Sequence, residues 1–339
     1  MMPDTWHGCY DGSWRELIVE GAWKHPARFA PTLIERIYDH AFAQGWVARG
    51  STILDPFGGV GCGGIVAAYK GLFWQGCELE PHFVEIANRN FELHRSRWQV
   101  GVDPMPVILQ GDSRKLRDVL GAADCVVSSP PYAEALSAAN HGIRDERRAR
   151  NASDIQGAHY GSSPGQLAGM KAGDVAAVVS SPPYEATISN QSADVKNERR
   201  FSARFSKADL SGRNYGTALG QLGNARGPTF WEAARDIVTE CYAVLAPGGH
   251  AIFVTKDYVR NKARVPFTDD WCKLCEACGF RLVCRHEATQ VKERRSDGLF
   301  GEHVERTERK GFFRRLAEKK GSPRIDHEDV TCWKKVDEK

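Results

Sequence analysis

The chain is short of several features that mark other classes of protein. No stretch of its 339 residues approaches the ~20 consecutive apolar residues of a membrane-spanning helix. The N-terminal stretch carries Asp4, Arg15 and Glu16 and has no apolar core, so no secretory signal is expected. Ten cysteines spread over this length are too sparse for a disulfide scaffold. They read as reduced thiols, and a cytoplasmic location is the expectation. Charge of one sign is lacking too: 46 Lys and Arg stand against 43 Asp and Glu, a net of +3, so the whole-chain balance gives no strong pull toward a polyanion. With 42% hydrophobic and 26% charged residues, collagen-like, coiled-coil and disordered classes are excluded. The length suits one large domain or two modest ones.

What is present is an alternation of strands and helices. STILD, from Ser51 to Asp55, is a short apolar strand that runs into PFGGVGCGG, and IVAAYKG continues at helical spacing to Gly71. LFWQGCEL predicts a second strand ending in Glu78, and Pro81 stands where a helix favours proline at its first position. PVILQGD predicts a third strand closing on Asp112, KLRDVLG a short helix, and ADCVVSSPPY a fourth strand. The rhythm resumes with the helix FWEAARDIVTECYAVL, the strand HAIFVTK, a helix TDDWCKLCEACGF with Thr268 as N-cap, the strand RLVCRHE, and VTCWKK as the last strand. This order predicts a doubly wound α/β fold.

Between about residues 133 and 228 the rhythm gives way to an internal repeat. VVSSPPY occurs at 126–132 and again at 178–184. Each copy is followed by an arginine cluster (144–150; 196–204) and then by a tyrosine-glycine segment (from His159; from Asn214). Three landmarks repeated in order, 52 to 55 residues apart, indicate a tandem duplication.

The chemistry concentrates at predicted strand ends. A glycine turn between a parallel strand and a helix brings backbone close to a ligand at the carboxyl edge of the sheet. DPFGGVG has neither the GxGxxG spacing of dinucleotide folds nor the GK[ST] of triphosphate sites. Glu78 can accept hydrogen bonds from both hydroxyls of a ribose, and with Asp112 at the next strand end the set describes a pocket for an adenosine with little phosphate. SPPY is sharper. Two prolines ending a strand cannot donate ladder bonds, so the last carbonyls stay free and rigid. A Ser hydroxyl and a Pro carbonyl can then grip the two hydrogens of an amino group while the Tyr ring stacks on a flat heterocycle.

These motifs resemble the S-adenosylmethionine-dependent amino-methyltransferases of DNA, in the subset bearing SPPY. The resemblance covers residues ~20–132 and ~178–290. It implies a class I methyltransferase fold, a mainly parallel seven-stranded sheet with insertions. It assigns the cofactor turn to Asp55, Pro56, Phe57, Gly58, Gly59 and Gly61, the ribose acid to Glu78 with Glu80 as second choice, and the adenine contact to Asp112. HPARFAPTLIERI, with His25 and Phe29, is similar to the segment that closes over the methionine end of the cofactor. SPPY is usual for cytosine-N4 enzymes, and DPPY more usual for adenine-N6 enzymes. The implied activity is methyl transfer to the N4 amine of cytosine in double-stranded DNA, with adenine-N6 as the alternative. From another class, a cofactor-retaining but inactive nucleic-acid-binding protein is a further alternative. Cytosine-C5 chemistry needs a thiolate that follows a proline in its family, and none of the 16 prolines precedes a cysteine.

One catalytic strand needs one SPPY, and both Ser129, Pro130, Pro131, Tyr132 and Ser181, Pro182, Pro183, Tyr184 are candidates. The short step from Asp112 to Ser129 favours the first copy, and the run into the helix near Phe230 favours the second. Four segments are expected: 1–132, the closing segment, cofactor half and first SPPY strand; 133–228, the duplicated insertion and candidate target-recognition region; 229–290, the second half of the catalytic sheet; 291–339, a basic insertion and final strand. DNA contacts are expected from Arg199, Arg200 and Arg204 of the repeat and from Arg314, Arg315, Lys319 and Lys320, since 309–324 carries seven Lys or Arg against one Glu. Cys272, Cys275 and Cys278 have ligand-like spacing but fall on one side of a predicted helix, so they read as core thiols and no metal is expected. The resemblance leaves room for a cognate restriction endonuclease as partner. Oligomeric state is not legible.

Overall fold

The computed structural model describes residues 3–25, 28–98, 104–120, 125–127, 175–180, 228–260, 262–298, 301–308, 318–319 and 321–336. In chain order the strands are β1 (Asp4–Trp6), β2 (Thr52–Asp55), β3 (Phe73–Glu78), β4 (Val107–Gln110), β5 (Cys125–Val127), β6 (Val175–Ser180), β7 (Leu245–Thr255), β8 (Tyr258–Arg260), β9 (Ala263–Val265), β10 (Phe280–Thr289), β11 (Val291–Gly298), β12 (Gly301–Glu308) and β13 (His327–Lys335). The α-helices are α1 (Pro31–Ala43), α2 (Cys62–Tyr69), α3 (Pro81–Arg95), α4 (Leu116–Leu120), α5 (Pro228–Val244) and α6 (Phe267–Ala277). Short 3-10 turns occupy Glu20–Lys24 and Ser113–Lys115.

Pro31 and Pro81 open α1 and α3, where a missing N–H costs nothing and the ring presets φ. In α1, Leu33, Ile34, Ile37, Tyr38 and Ala41 recur at helical spacing and are buried. In α3 the buried stripe includes Asn90, whose Oδ1 accepts the Val19 N–H at 2.8 Å while its Nδ2 donates to the Val60 carbonyl at 2.8 Å. One buried amide thus ties the N-terminal segment to the glycine turn. The expected helix cap at Thr268 is not found. Pro266 precedes the helix, Thr268 lies in its first turn, and Asp257 Oδ1 accepts the Thr268 N–H at 3.0 Å from outside the helix.

Among the described residues the main sheet has nine strands, where seven were expected. Its order is β1-β10-β13-β7-β6-β2-β3-β4, with β5 paired to β6. Among the described residues only β13 runs antiparallel to its neighbours in this sheet; every other pairing is parallel. All four residues of β2 are buried, as a strand covered on both faces must be. On β10, Cys284 meets His40 of α1 while the next residue, Arg285, pairs with Asp269 of α6. Successive residues of a strand point to opposite faces, so α1 and α6 cover opposite faces of the sheet. This is the doubly wound arrangement expected. Two hairpins, β8–β9 and β11–β12, stand outside the sheet; the second forms from a charged stretch with no apolar alternation to announce it.

The repeat enters the sheet through both strands. β6, from the second copy, lies between β2 and β7, with Leu54 beside Val178 and Ala251 also beside Val178. β5, from the first copy, runs parallel to β6 in the same register, Val126 with Val178 and Val127 with Val179, and touches β2 and β7 as well, so the two copies share one position between β2 and β7. Each residue sits next to its own counterpart in the repeat.

Candidate active site

Strand order reverses at β2, with β3 and β4 on one side and β6 and β7 on the other. Such a switch point opens a crevice at the carboxyl ends of the strands. Asp55 closes β2 there, buried, with its Oδ1 accepting the Phe57 N–H at 2.9 Å. The chain then turns through Gly58 to Gly61. The Gly58 N–H donates to the Cys77 carbonyl at 2.8 Å, and the Gly59 N–H to Glu78 Oε2 at 2.9 Å, so the turn is stitched to the end of β3. Gly61 caps α2 at φ +76°, and a Cβ there would stand 2.6 Å from the Phe91 ring. A Cβ on Gly59, at φ +53°, would stand 3.1 Å from the His25 ring. Only glycine satisfies both the backbone conformation and the clearance at these two positions.

Arg28, Phe29, Asp55, Phe57, Gly58, Gly59, Val60, Cys62 and Gly63 line a narrow cleft along this turn. The segment holding His25 and Phe29 lies against the glycine turn, with Phe29 in the cleft wall and His25 packed over Gly59. Arg28 was not singled out by its spacing, yet it organises the segment. Its guanidinium donates to the Ala22, Trp23 and His25 carbonyls and lies 5.1 Å above the Trp23 ring. Its position between His25 and Phe29 was the available signal.

The acids differ in environment. Burial pushes the Glu78 carboxyl up to about 7, against the N–H groups of Glu80 and Gly59 that favour its ionised form. Its Oε1 accepts the Glu80 N–H at 2.9 Å, which leaves Glu80 as the residue opening α3 and Glu78 as the one facing the turn. Burial also acts on Asp112, but hydrogen bonds and charge from Arg114 hold its carboxyl below the usual range. The pair is bidentate, and Asp112 also accepts the Arg114 N–H at 3.0 Å. Next to it, the Ser113 hydroxyl donates to the Pro56 carbonyl, joining the end of β4 to the glycine turn. Cys62 and Cys77 are both pushed up to about 12 by burial, so these thiols stay neutral.

A wider cavity of about 280 Å³ adjoins the cleft and shares Arg28 and Phe29 with it. Tyr10, Trp14 and Trp23 form part of its wall, with Gln290 and Glu328. Glu328 is 1% exposed; its Oε1 accepts from Gln290 Nε2 at 2.9 Å, while Gln290 Oε1 accepts from Lys256 Nζ at 2.8 Å. These polar residues come from chain segments far apart, and no local motif marks them.

The residues at this edge fit an adenosyl cofactor. The Glu78 carboxylate has lone pairs beyond the two N–H groups it accepts, as a ribose diol requires, and it stands beside the narrow cleft along the glycine turn. The chain leaves β6 at Ser180 on the same edge, and Ser181 begins the second SPPY. Residues 129–132 and 181–184, Arg199, Arg200, Arg204, Arg314, Arg315 and Lys320 lie outside the described residues; Lys319 is exposed.

Among solved structures, TrmN from Thermus thermophilus shares 13% identity over 96% of this chain and 53% of its own, at a TM-score of 0.42, so this chain spans about half of it. The TehB-like SAM-dependent methyltransferase from Corynebacterium glutamicum shares 11% over 89% and 86%, at 0.37. The arsenic(III) S-adenosylmethionine methyltransferase from Chlamydomonas reinhardtii shares 12% over 86% and 66%, at 0.37. TM-scores below 0.5 settle neither fold nor activity. No curated protein is significantly similar in sequence. Residues 5–89, a quarter of the chain, match the family model described as DNA methylase, whose name covers N6 and N4 methylation.

Proposed function

We propose that the chain transfers a methyl group from S-adenosylmethionine to the exocyclic N4 amine of a cytosine in double-stranded DNA. The observation that carries this reading is the place of β6: the second SPPY starts one residue after a strand that lies beside β2, at the edge where the glycine turn and Glu78 meet. The DNA methylase match over residues 5–89 and the mainly parallel, doubly wound sheet support it.

In this reading Glu78 accepts the ribose hydroxyls, Asp112 faces the adenine side, and His25 and Phe29 close over the methionine end. The bound cofactor supplies an electrophilic methyl group. Ser181 and the Pro182 carbonyl hold the amine in line with it, and the Tyr184 ring stacks on the base. Positioning and electrostatics account for the catalysis, since the transfer is a direct displacement. A base inside a duplex cannot reach the edge, so the cytosine flips out at a cost of a few kcal/mol, offset in part by stacking worth ~1–3 kcal/mol. The aromatic cavity beside the cleft offers flat walls for it, and Glu328 an acceptor. Arginines of the repeat and the basic segment 309–324 would neutralise the phosphates.

The test is incubation with labelled cofactor and duplex DNA of varied sequence, followed by digestion to nucleosides. N4-methylcytosine is expected. N6-methyladenine would replace the cytosine reading with the adenine one, and no modified nucleoside at all would favour an inactive binder.

A further inference from the structure

Away from the cofactor edge, four side chains able to ligate a metal meet between α1 and the sheet. His40 comes from the last turn of α1, Cys284 and His286 from β10, and Cys332 from β13; one ligating atom of each lies within 4.8 Å of all the others. The sheet explains the convergence. Cys284 and Cys332 are direct partners across the antiparallel pair, and His286, two residues along β10, shares their face. The register shift between Leu282 and Cys284 is a bulge of the kind that re-aims a side chain.

The spacing suits one ion. Zinc bonds of about 2.0–2.3 Å in a tetrahedron separate ligand atoms by roughly 3.3–3.8 Å, and Cys284 Sγ lies 3.5 Å from His40 Nε2. His286 is 6% exposed, and its ring faces the Cys284 thiol. Asp4 Oδ2 stands 3.6 Å from its Nδ1, beyond hydrogen-bond reach. A buried imidazole whose nearest polar neighbour is a thiol keeps a ring nitrogen lone pair for a metal ion. The Trp6 ring stacks on it at 4.3 Å, and Trp6 and Trp46 both meet His40 edge to face, which makes an apolar shell around the four donors.

We propose that His40, Cys284, His286 and Cys332 form a structural zinc site that staples the C-terminal turn of α1 to β10 and β13. Two thiolates and two neutral imidazoles are a donor set zinc prefers, and two thiolates cancel its charge. Four protein ligands leave no open position for water, so the role is structural. The opposite end of α1 follows directly on Arg28 and Phe29 in the cleft wall, so the staple would fix the helix that carries the closing segment.

The test uses the full chain and needs no methyl-transfer readout. Purified protein should hold one zinc per chain. Cobalt exchanged into the wild type should give strong tetrahedral visible bands with thiolate-to-cobalt charge transfer, an outcome that does not depend on any variant folding. Cys284→Ser and Cys332→Ser should each lose the charge-transfer intensity of one thiolate and bind the metal at least tenfold more weakly, while Cys275→Ser, a buried thiol on the other face, keeps the full stoichiometry. Three results would each overturn the proposal: wild type that takes up no zinc or cobalt, a cobalt spectrum without thiolate bands, or a Cys284–Cys332 disulfide in protein prepared without reductant.

Discussion

At the β2–β3–β4 end of the sheet the strands run parallel and finish together, so their last residues, Asp55, Glu78 and the Asp112 turn, gather at one edge around a glycine loop. At the β10–β13 end the strands run antiparallel, and residues gather across the pair instead, in the middle of a face, where Cys284 meets Cys332 beneath α1. Oxygen donors stand at the open edge and sulfur and nitrogen donors inside the packed face. The difference is one of solvent as much as of topology: an edge can admit a ligand with hydroxyls, whereas a face sealed by Trp6 and Trp46 suits only groups delivered by the chain itself. The charges divide as well. Residues 50–125 hold seven Lys or Arg against nine acids, while 309–324 carries a net +6. The near-neutral total of the chain conceals that separation.

The sharpest way to break the comparison is to ask which SPPY belongs to the parallel edge. Ser181→Ala is expected to lower activity by roughly 10²–10³-fold, the usual cost of removing one positioning donor, and Tyr184→Ala by roughly 10–100-fold through lost stacking, with Ser129→Ala and Tyr132→Ala far milder. Equal losses from Tyr132 and Tyr184 would contradict a single site. Next in size, Gly61→Ala forces a side chain into φ +76° and onto the Phe91 ring. It should cost at least about 2 kcal/mol in denaturant unfolding. If the two ends are separate devices, the metal content of this variant stays at the wild-type value.

Much of the parallel end was legible because its signals are local. A short apolar run, a glycine turn and a proline-led helix specify their own geometry, and Asp55, Glu78 and Pro81 fall where that pattern put them. The duplication defeated the same logic. The step from Asp112 to Ser129 is the right length for one strand-helix-strand unit, yet β6 of the second copy lies between β2 and β7 while β5 of the first touches both, so sequence distance alone does not assign that position. Thr268 failed as a cap for a related reason: Asp257, eleven residues upstream, satisfies its N–H. The His40, Cys284, His286 and Cys332 cluster spans almost the whole chain, so no spacing could reveal it, while CxxCxxC on α6 drew attention to thiols that do not join it.

A tenfold effect is expected from pH. The Glu78 carboxyl titrates near 7 in the absence of ligand, and only the carboxylate accepts both ribose hydroxyls. Cofactor affinity should therefore fall about tenfold from pH 8 to pH 6, one proton being taken up across that window. Calorimetric titration checks it, and Glu78→Gln should bind weakly with a flat profile. The sign for stability is opposite. The folded value is raised above the ordinary 4.5, so the folded chain holds this proton more tightly than the unfolded chain and loses stability as pH rises from about 4.5 through about 7. Cofactor binding at pH 8 should restore more stability than at pH 6.

The smallest effect belongs to the basic side of the charge division. Each phosphate contact contributes about 0.9 to the slope of log affinity against log salt, so losing one changes the affinity ratio between 50 and 200 mM salt by only about threefold. Arg314→Gln, Arg315→Gln, Lys319→Gln and Lys320→Gln, measured singly by fluorescence anisotropy on duplex DNA, should each lower the slope by about that increment, uniformly across sequences, because phosphate contacts position the duplex without reading it. Neutralising all four together should remove several increments while leaving cofactor affinity unchanged, since the proposed cofactor edge draws on residues between His25 and Asp112 and on none of the basic segment. An unaltered slope in the fourfold variant would move the DNA surface to Arg199, Arg200 and Arg204, next to the second SPPY. Charge and catalysis would then share one segment of the repeat, and the basic end of the chain would need another purpose.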